Sequence, residues 1–600
     1  MSHWADADKG EVHSLLWDYV QDLASTYMSD RLTAYELYLG MVGDTENVGV
    51  YPSRTMPSPT LINRGAHLQM NVTRCMIDTG EAKIAQARPR PYFLTYGGDF
   101  DAQEKAKTLQ RFVDGMFDQA RAYQIGSQAL RDAETLGTGV IKIVSRHGKP
   151  YLERVLIPQI LVDEALAHNG EPPELFERRE VSKSVLKGMF KKHAAAIESL
   201  TAIDVLSGST LKPDLVVVYE GWKLCAGKKG DKDYKPGRHV IIAQNCTLVD
   251  DEWERETYPF AFIHWAKSSV GFYGAGIPQR TLGLQVEINR VLRSVSKNIH
   301  LHGNPRMLVE GTSKVNPAAI TTGWGDILKW EGTRPELMSP QIIAPEVYSY
   351  LWQLFSKAFE MEGLSTQAAF AKKESGVTAG RAMRELSDIQ ADRLAPISQR
   401  YEEFYLDIAR KLIQCVEEIH QTEGNLEVSV KAEDGGFAER IDWSDIRLDE
   451  SEYVIQLFPA NFLSRTPSGK LSDLDDLMSK DLVSPEQAKR LIDFPDIKGV
   501  LDEDNSPSDL YRKQVRDIMR FGSDSYVPPE PFDDLMTGMK IYKNAYLRYR
   551  MEEIEEDKLS LLRDWIEAAD SLMQPQEPPM APEAAAPVVP GPMPPPGMPV

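Results

Sequence analysis

The stretch Gly276-Ile277-Pro278-Gln279-Arg280-Thr281-Leu282-Gly283-Leu284-Gln285-Val286-Glu287-Ile288-Asn289-Arg290-Val291-Leu292 opens the segment that decides the fold. Leu284, Ile288, Val291, Leu292, Val295 and Ile299 recur at the spacing of one helical face, which predicts an amphipathic helix over Gly276–His302. Its other side carries Glu287, Arg290, Arg293 and Lys297. Asn304-Pro305 ends it, because proline lacks an N–H and pushes its predecessor out of the α region. A return helix starts at Pro345, a favourable first-turn residue, and its stripe runs through Val347, Tyr350, Leu351, Leu354, Phe355, Ala358 and Phe359. The insert Gly303–Ala344 is rich in Gly, Pro and Thr and holds two short strand candidates, Arg306–Glu310 and Ile327–Trp330. Small residues and the pair Lys372-Lys373 fill Gly363–Thr378. Ala379–Thr422 then reads as one helix of 44 residues, about 66 Å long with a kink expected at Pro396. A globular core seldom needs such a helix; a wall or channel lining does.

The order and spacing of several short motifs extend this reading. Tyr258-Pro259-Phe260 is followed by Gly271-Phe272-Tyr273-Gly274-Ala275-Gly276-Ile277 and then Gln285-Val286-Glu287-Ile288-Asn289. This run resembles the approach to the first stem helix of bacteriophage portal proteins, the head-to-tail connectors of tailed double-stranded DNA phages. Ser375-Gly376-Val377-Thr378-Ala379-Gly380 is similar to that family's lead into its long helix. The resemblance spans roughly residues 10–520. It implies an α+β, predominantly α fold of the portal type, with wing, stem, clip and crown, long channel-lining helices and a ring of twelve copies. The implied parts are a flexible 1–10, a wing of 11–270 completed by return strands in 423–464, stem helices 271–302 and 345–363, and a clip of 303–344. A tunnel loop of 364–378, the long kinked helix 379–422, and a crown of 465–573 with a short helical barrel complete it. The implied role is non-enzymatic: a capsid-vertex conduit for genome packaging and ejection, in the virion and, during assembly, in the host cytoplasm. Its partners would be further copies of itself, double-stranded DNA passing without sequence preference, terminase and then the tail adaptor, the major capsid protein and a scaffold.

Composition sets bounds of its own. Hydrophobic residues make up 42% of the 600, enough for real cores, and the net charge is −21. Such a chain does not grip nucleic acid through bulk positive potential, whereas an acidic wall suits a passage in which DNA must slide. The scattered Cys75, Cys225, Cys246 and Cys415 show no C-x-x-C spacing and read as buried thiols of a reducing compartment. Apolar runs are too short for a membrane span, and the first residues lack a signal-peptide layout.

Helical spacing recurs over 11–44, Thr60–Ala87 and Asp101–Leu136. Strand patterns then cover Gly139–Ser145 and Tyr151–Leu156, on either side of a turn at Arg146-His147-Gly148-Lys149. Further strands are expected at Ile160–Asp163, Leu175–Val181, Leu215–Leu224, His239–Ala243, Thr247–Asp251, Glu427–Lys431 and Tyr453–Leu457, with a helix near Lys183–Lys192. Residues 465–573 are helical in pieces and end in one helix over Phe532–Met573. Gln574–Val600 is Pro/Ala/Met-rich and expected to be disordered.

No G-x-x-x-x-G-K-[ST] is present, so no Walker-type phosphate cradle is expected. The glycines of Gly271–Gly276 read better as a bend than as a nucleotide loop. His300 and His302 diverge by roughly 200° on a helix, and the acids Asp473, Asp475, Asp476 and Glu552, Glu553, Glu555, Glu556 read as solvated surface. No catalytic, metal or cofactor site is expected. The sharpest functional candidates are Lys372 and Lys373. On their own they are either a solvated loop or, in a ring with loops facing a bore, a salt-screened ring of charges around a polyanion; the resemblance places them in the tunnel loop. Arg290, Arg293 and Lys297 either line the stem or pair with acids of a neighbouring subunit, the second being favoured. Trp324 and Trp330 are core residues or, in the clip the resemblance implies, anchors for adaptor and terminase. The rival readings are a DNA-processing, terminase-like enzyme and a structural tail or scaffold component without a channel.

Overall fold

The computed structural model describes residues 4–6, 11–24, 70–86, 88–95, 100–200, 215–225, 227, 234–303, 306–308, 310, 331, 336–338, 344–364, 380–422, 424–431, 438–447, 453–457, 475, 478–479, 508, 510–519, 521–551 and 554–573. Helix and strand are mixed, consistent with an α+β class. Two compact units partition the chain: Met1–Leu94, Lys105–Ala432 and Phe437–Phe462 form the first, and Thr95–Glu104, Glu433–Gly436 and Leu463–Val600 the second.

The first unit begins with helix α1 (12–24) and α2 (Val72–Ile84), then strand β1 (Pro91–Thr95) and helices α3 (Phe100–Gln119) and α4 (Ala122–Leu136). The pattern over Asp101–Leu136 thus resolves into two helices, broken at Arg121, whose φ is +53°. Strands β2 (Thr138–Arg146) and β3 (Lys149–Val155) form the expected hairpin. His147 and Gly148 have φ of +52° and +68°, the two positive values a tight type I′ turn requires.

Strand β4 (Ile160–Leu161) leads into β5 (Glu174–Ser182), β6 (Leu215–Lys223), β7 (Gly237–Ala243) and β8 (Cys246–Trp253), an antiparallel sheet in that spatial order. Alternation along β6 explains its two covered faces. Val217 and Tyr219 pack under α1 with Trp4, Leu16 and Val20; Val216 and Val218 pack under Leu186, Ile197 and Leu200. Strand β9 (Phe260–His264), which sequence patterning missed, pairs with the free edge of β2 from Thr138↔His264 to Lys142↔Phe260. Its five residues, flanked by Pro259, carry neither a turn signal nor a clean alternation.

Helix α5 (Ile277–Gly303) and helix α6 (Pro345–Met361) pack on each other as the expected pair. At their far end β10 (Arg306–Leu308) pairs with β11 (Glu336–Met338). The first strand is where the sequence put it; the expected second strand Ile327–Trp330 lies outside the described residues, as do 25–44, 60–69 and Gln574–Val600. Helix α7 (Gly380–Thr422) runs through Pro396. From Leu394 onward its apolar stripe is covered within the subunit. Ile397, Tyr401, Phe404, Tyr405, Ile408, Leu412, Val416 and Ile419 are all buried in the main core with α2, α3, α4, β2 and β9. Strands β12 (Glu427–Lys431) and β13 (Ala438–Asp442) pair with each other, and β14 (Tyr453–Leu457) returns to β1.

The four cysteines are free thiols, but only Cys415 is buried; the other three are half-buried. No helix among the described residues is long and apolar enough to cross a membrane.

The second unit contains a helix over 510–519, α8 (Leu535–Met551) and α9 (Glu556–Met573) around Tyr511, Ile518, Tyr542, Leu562 and Trp565. The single helix expected over Phe532–Met573 is therefore two that fold back on each other. Their return stacks Tyr542 on Trp565 at 3.8 Å and 4°, a burial one straight helix could not achieve. Glu552, Glu553, Glu555, Glu556 and Asp557 crowd like charge at the break.

Charge joins the three-stranded sheet of β3, β2 and β9 to the five-stranded sheet. Lys142 of β2, 3% exposed, donates to Glu177 of β5 at 2.7 Å and to Glu220 of β6 at 2.6 Å. Its ammonium lies 4.6 Å from the Trp222 ring centroid. Arg179 bridges Glu177 and Glu153, and His239 sits 3.0 Å from Glu220. Although burial raises the Glu220 carboxyl, Lys142 and His239 pull it down to about 2. Lys142→Met removes the buried cation that Glu177 and Glu220 share and leaves them only Arg179 and His239, so denaturant unfolding should show a loss of about 3–5 kcal/mol.

Candidate functional site

The site is the root and the open flank of the α5–α6 pair. Its root is set by backbone meeting backbone. Gly137, with φ +89°, ends α4, and Trp265 donates its N–H to Gly137 O at 3.0 Å. Gly274 N donates to Thr138 Oγ1 at 3.0 Å and Ala275 N to Ala266 O at 2.9 Å. A Cβ on Gly276 would lie 2.8 Å from the carbonyls of Glu134 and Thr135, and one on Gly274 would strike Gly137 O. The glycines of Gly271–Gly276 are thus needed where the chain crosses the end of α4 before turning into α5. Thr138 also lies 3.0 Å from His264 Nδ1. Burial, Lys267 and Arg400 lower that histidine to about 4, so it is neutral near pH 7.

One turn further, α5 supplies Gln285 and Asn289, both buried. Gln285 Oε1 accepts from Val72 N, Thr73 N and Thr73 Oγ1 at 3.0–3.2 Å, and Gln285 Nε2 donates to Met70 O at 2.7 Å. Asn289 Oδ1 accepts from Met70 N at 3.3 Å and from Gln285 Nε2 at 3.2 Å. In the first turn of α2, whose amides have no partners within their own helix, Asn71 Oδ1 accepts from Arg74 N while Gln285 of α5 accepts from Val72 N and Thr73 N. Gln285 and Asn289 both belong to the quoted motif, but their role was missed. The available signal was two amides at i and i+4 on the apolar side, next to Leu284 and Ile288.

The end of α6 is fixed from three directions. Gly363, at φ +72°, donates to Glu360 O and Leu364 to Phe359 O, the Schellman closure of a helix. Arg393 of α7 donates to Glu360 O at 3.2 Å. The Glu362 side chain, 1% exposed, takes Arg280 at 3.1 Å and Trp265 Nε1 at 3.4 Å. Burial raises its pKa, with Arg280 and Trp265 opposing. Arg400 ties Trp265 O to α7 at 2.6 Å.

Glu134 is the anomaly of the root. It is fully buried, and neither carboxyl oxygen has a hydrogen-bond partner. Gly80 of α2 comes so close that a Cβ there would sit 2.5 Å from Glu134 Oε1, with the Trp265 ring 3.6 Å away. Burial pushes its pKa well above the usual carboxylate value, Glu81 and Asp78 add to the rise, and Arg131 opposes it. The neutral acid is the form that packs.

The flank away from the root is open. Phe355, Ala358 and Phe359 are buried against Ile277 and Ile288, yet Tyr348, Tyr350, Trp352 and Ile299 are exposed, Trp352 at 64%. Arg290 and Lys297 are exposed and Arg293 is half-buried; Arg290 reaches Glu287 of its own helix at 3.8 Å. Exposed α6 residues include Glu346 and Glu360. His300 and His302 are exposed near the helix end. Lys372, Lys373, Trp324 and Trp330 lie outside the described residues, so this geometry unites none of them with the arginines.

No family model matches this chain, and no curated protein matches it.

A raised carboxyl has a definite sign. Glu134 contributes stability that is fully present below its unfolded value of 4.5 and is lost as pH rises toward the higher folded value. Glu134→Met removes that dependence. Its stability relative to the parent should climb with pH above about 4.5 by up to about 1.4 kcal/mol per pH unit, read from urea midpoints across pH.

Proposed function

We propose that this chain is the subunit of a closed ring, a portal-type conduit through which double-stranded DNA enters and leaves a phage capsid. The observation that carries the proposal is the helix pair α5–α6, rigidly rooted yet open along its far half. An apolar flank with Trp352, Tyr348 and Ile299 uncovered is what a subunit exposes when its neighbours are absent. The two helices also differ in charge. Arg290, Arg293 and Lys297 of α5 outnumber its one acid, Glu287, whereas α6 has Glu346 and Glu360 against Lys357. Unlike faces that attract favour a heterologous contact, which closes into a ring when the rotation allows.

In this reading the chain performs no chemistry. It supplies a passage and a docking platform, and a separate terminase motor supplies ATP hydrolysis. The net charge of −21 keeps the wall from holding DNA tightly. Lys372 and Lys373, in the tunnel loop that the resemblance implies, would give brief, salt-screened contacts to the passing backbone. The insert between α5 and α6, with Trp324 and Trp330, would meet terminase and then the tail adaptor. Twelve copies at a capsid vertex, in contact with the major capsid protein and a scaffold, follow from the resemblance.

Negative-stain images and native mass of the purified chain test the ring, with closed rings of about a dozen subunits and a central hole expected. Trp352→Glu should shift the population toward monomer without lowering the unfolding midpoint, because Trp352 is exposed in the isolated chain. ATP hydrolysis or DNA cleavage by pure protein would overturn the conduit in favour of an enzyme.

The loop calls for a separate variant. Gly363 and Leu364 belong to the closure of α6, so the deletion must fall within 365–378. Such a deletion should leave rings intact while packaged DNA is retained less well; loss of rings would count against a channel role for this segment.

A further inference from the structure

We infer that the outer face of α8 in the second unit is a contact surface for a second copy of this chain, which it meets through the acidic first turn of α9. Helix α8 carries two seams. Gly538, Tyr542, Ala545 and Tyr549 face inward, and Gly538 lies where a Cβ would come 2.5 Å from the Trp565 ring. On the other side Met536, Lys540, Lys543, Leu547 and Arg550 follow one another at steps of four, three, four and three, and all five are exposed. Three of the five are cations, and beside them Met536 and Leu547 are apolar side chains left in water, which marks this side as a surface for a further partner.

Charge identifies the partner. Lys540, Lys543, Arg548 and Arg550 make the helix Leu535–Met551 wholly basic, with no acid, in a chain of net charge −21. The segment that follows holds Glu552, Glu553, Glu555, Glu556 and Asp557. Glu555, just before α9, and Glu556 and Asp557 in its first turn are exposed. Within the subunit Glu555 meets Lys558 at 3.4 Å and Glu556 meets Arg563, with the acids largely in water and the cations half-buried. Pairs so open on the acid side contribute little. Each copy therefore offers a basic seam and an acidic turn, and the two complement each other between copies.

Apolar exposure argues against a nucleic-acid phosphate backbone as the occupant. Met536 is 76% exposed, Leu547 57%, and Phe532, just before the helix, 98%. Phosphates would leave these side chains in water, whereas another protein surface covers them. The two contacting surfaces differ, so the contact is heterologous. It does not rest on the conduit reading, since any head-to-tail multimer would use it.

Charge exchange in the full-length chain tests the inference. Lys540→Glu with Lys543→Glu should raise the concentration for half-assembly by about tenfold, read by sedimentation velocity. Glu555→Lys with Glu556→Lys should do the same, and the fourfold variant should recover assembly. Circular dichroism of each variant separates loss of contact from loss of fold. Three results overturn the inference: a wild-type chain monomeric at every concentration, double variants that assemble as wild type, or a fourfold variant no better than the doubles. Retained assembly with loss of salt-dependent binding to a random DNA duplex in Lys540→Glu/Lys543→Glu would overturn it in favour of a nucleic-acid face. Charge rescue in an open multimer without a central hole would instead reject the conduit and leave this contact standing.

Discussion

The first unit depends on a place where two backbones touch. Where the chain passes from β9 toward α5 it crosses the end of α4, and Gly137, Gly274 and Gly276 leave no room for a side chain between them. Everything at the root follows from that closeness. It fixes where α5 starts, which brings Gln285 over the first turn of α2 and Arg280 over Glu362. Hydrogen bonds then finish what sterics began: Gln285 accepts from the buried Thr73 amide and shares the Val72 amide with Met70 O.

Two kinds of buried charge share this unit and behave in opposite ways. Around Lys142 every carboxylate has a cation or a donor, so Glu220 stays ionised far below its ordinary range. At Glu134 there is no donor, and the group is held neutral by burial. The first arrangement joins two sheets at any pH near neutrality. The second fits α4 against Gly80 and Trp265 as a protonated acid, a state that depends on pH. Glu362 lies between these extremes, with one oxygen on Arg280 and Trp265 and the other unpartnered.

A single chain also exposes what its own core does not use. On α5–α6 it is an aromatic and aliphatic flank with basic and acidic helices side by side; on α8 it is a basic face with Met536 and Leu547 uncovered. Both surfaces are unlike the ones proposed to meet them, and contacts between unlike surfaces generate rings or chains rather than two-fold pairs. Head-to-tail placement of several copies is what the two proposals share, each argued from a feature of a different unit.

Much of this was legible in the amino-acid order where local forces decide. The 3.6-residue stripe of α5, the proline at the start of α6, the uninterrupted pattern of α7 and the positive-φ turn His147-Gly148 each encode an element within a few residues of itself. Strand β9 was not legible, because Phe260–His264 becomes a strand only when β2 offers its edge. Nor was the split of the last helix, which depends on Tyr542 finding Trp565 across a fold-back. The long α7 was legible as a helix but not as a core pillar, since a stripe does not reveal how many neighbours surround it. Gln285 and Asn289 looked like two polar residues on an apolar side; only the approach of α2, more than two hundred residues earlier, made them its cap. Periodicity and punctuation, which act along the chain, determined the elements. Contacts between distant segments, whose strength depends on burial and on which donors meet which acceptors, decided the strand partners, the root of the helix pair and the charge states of its acids.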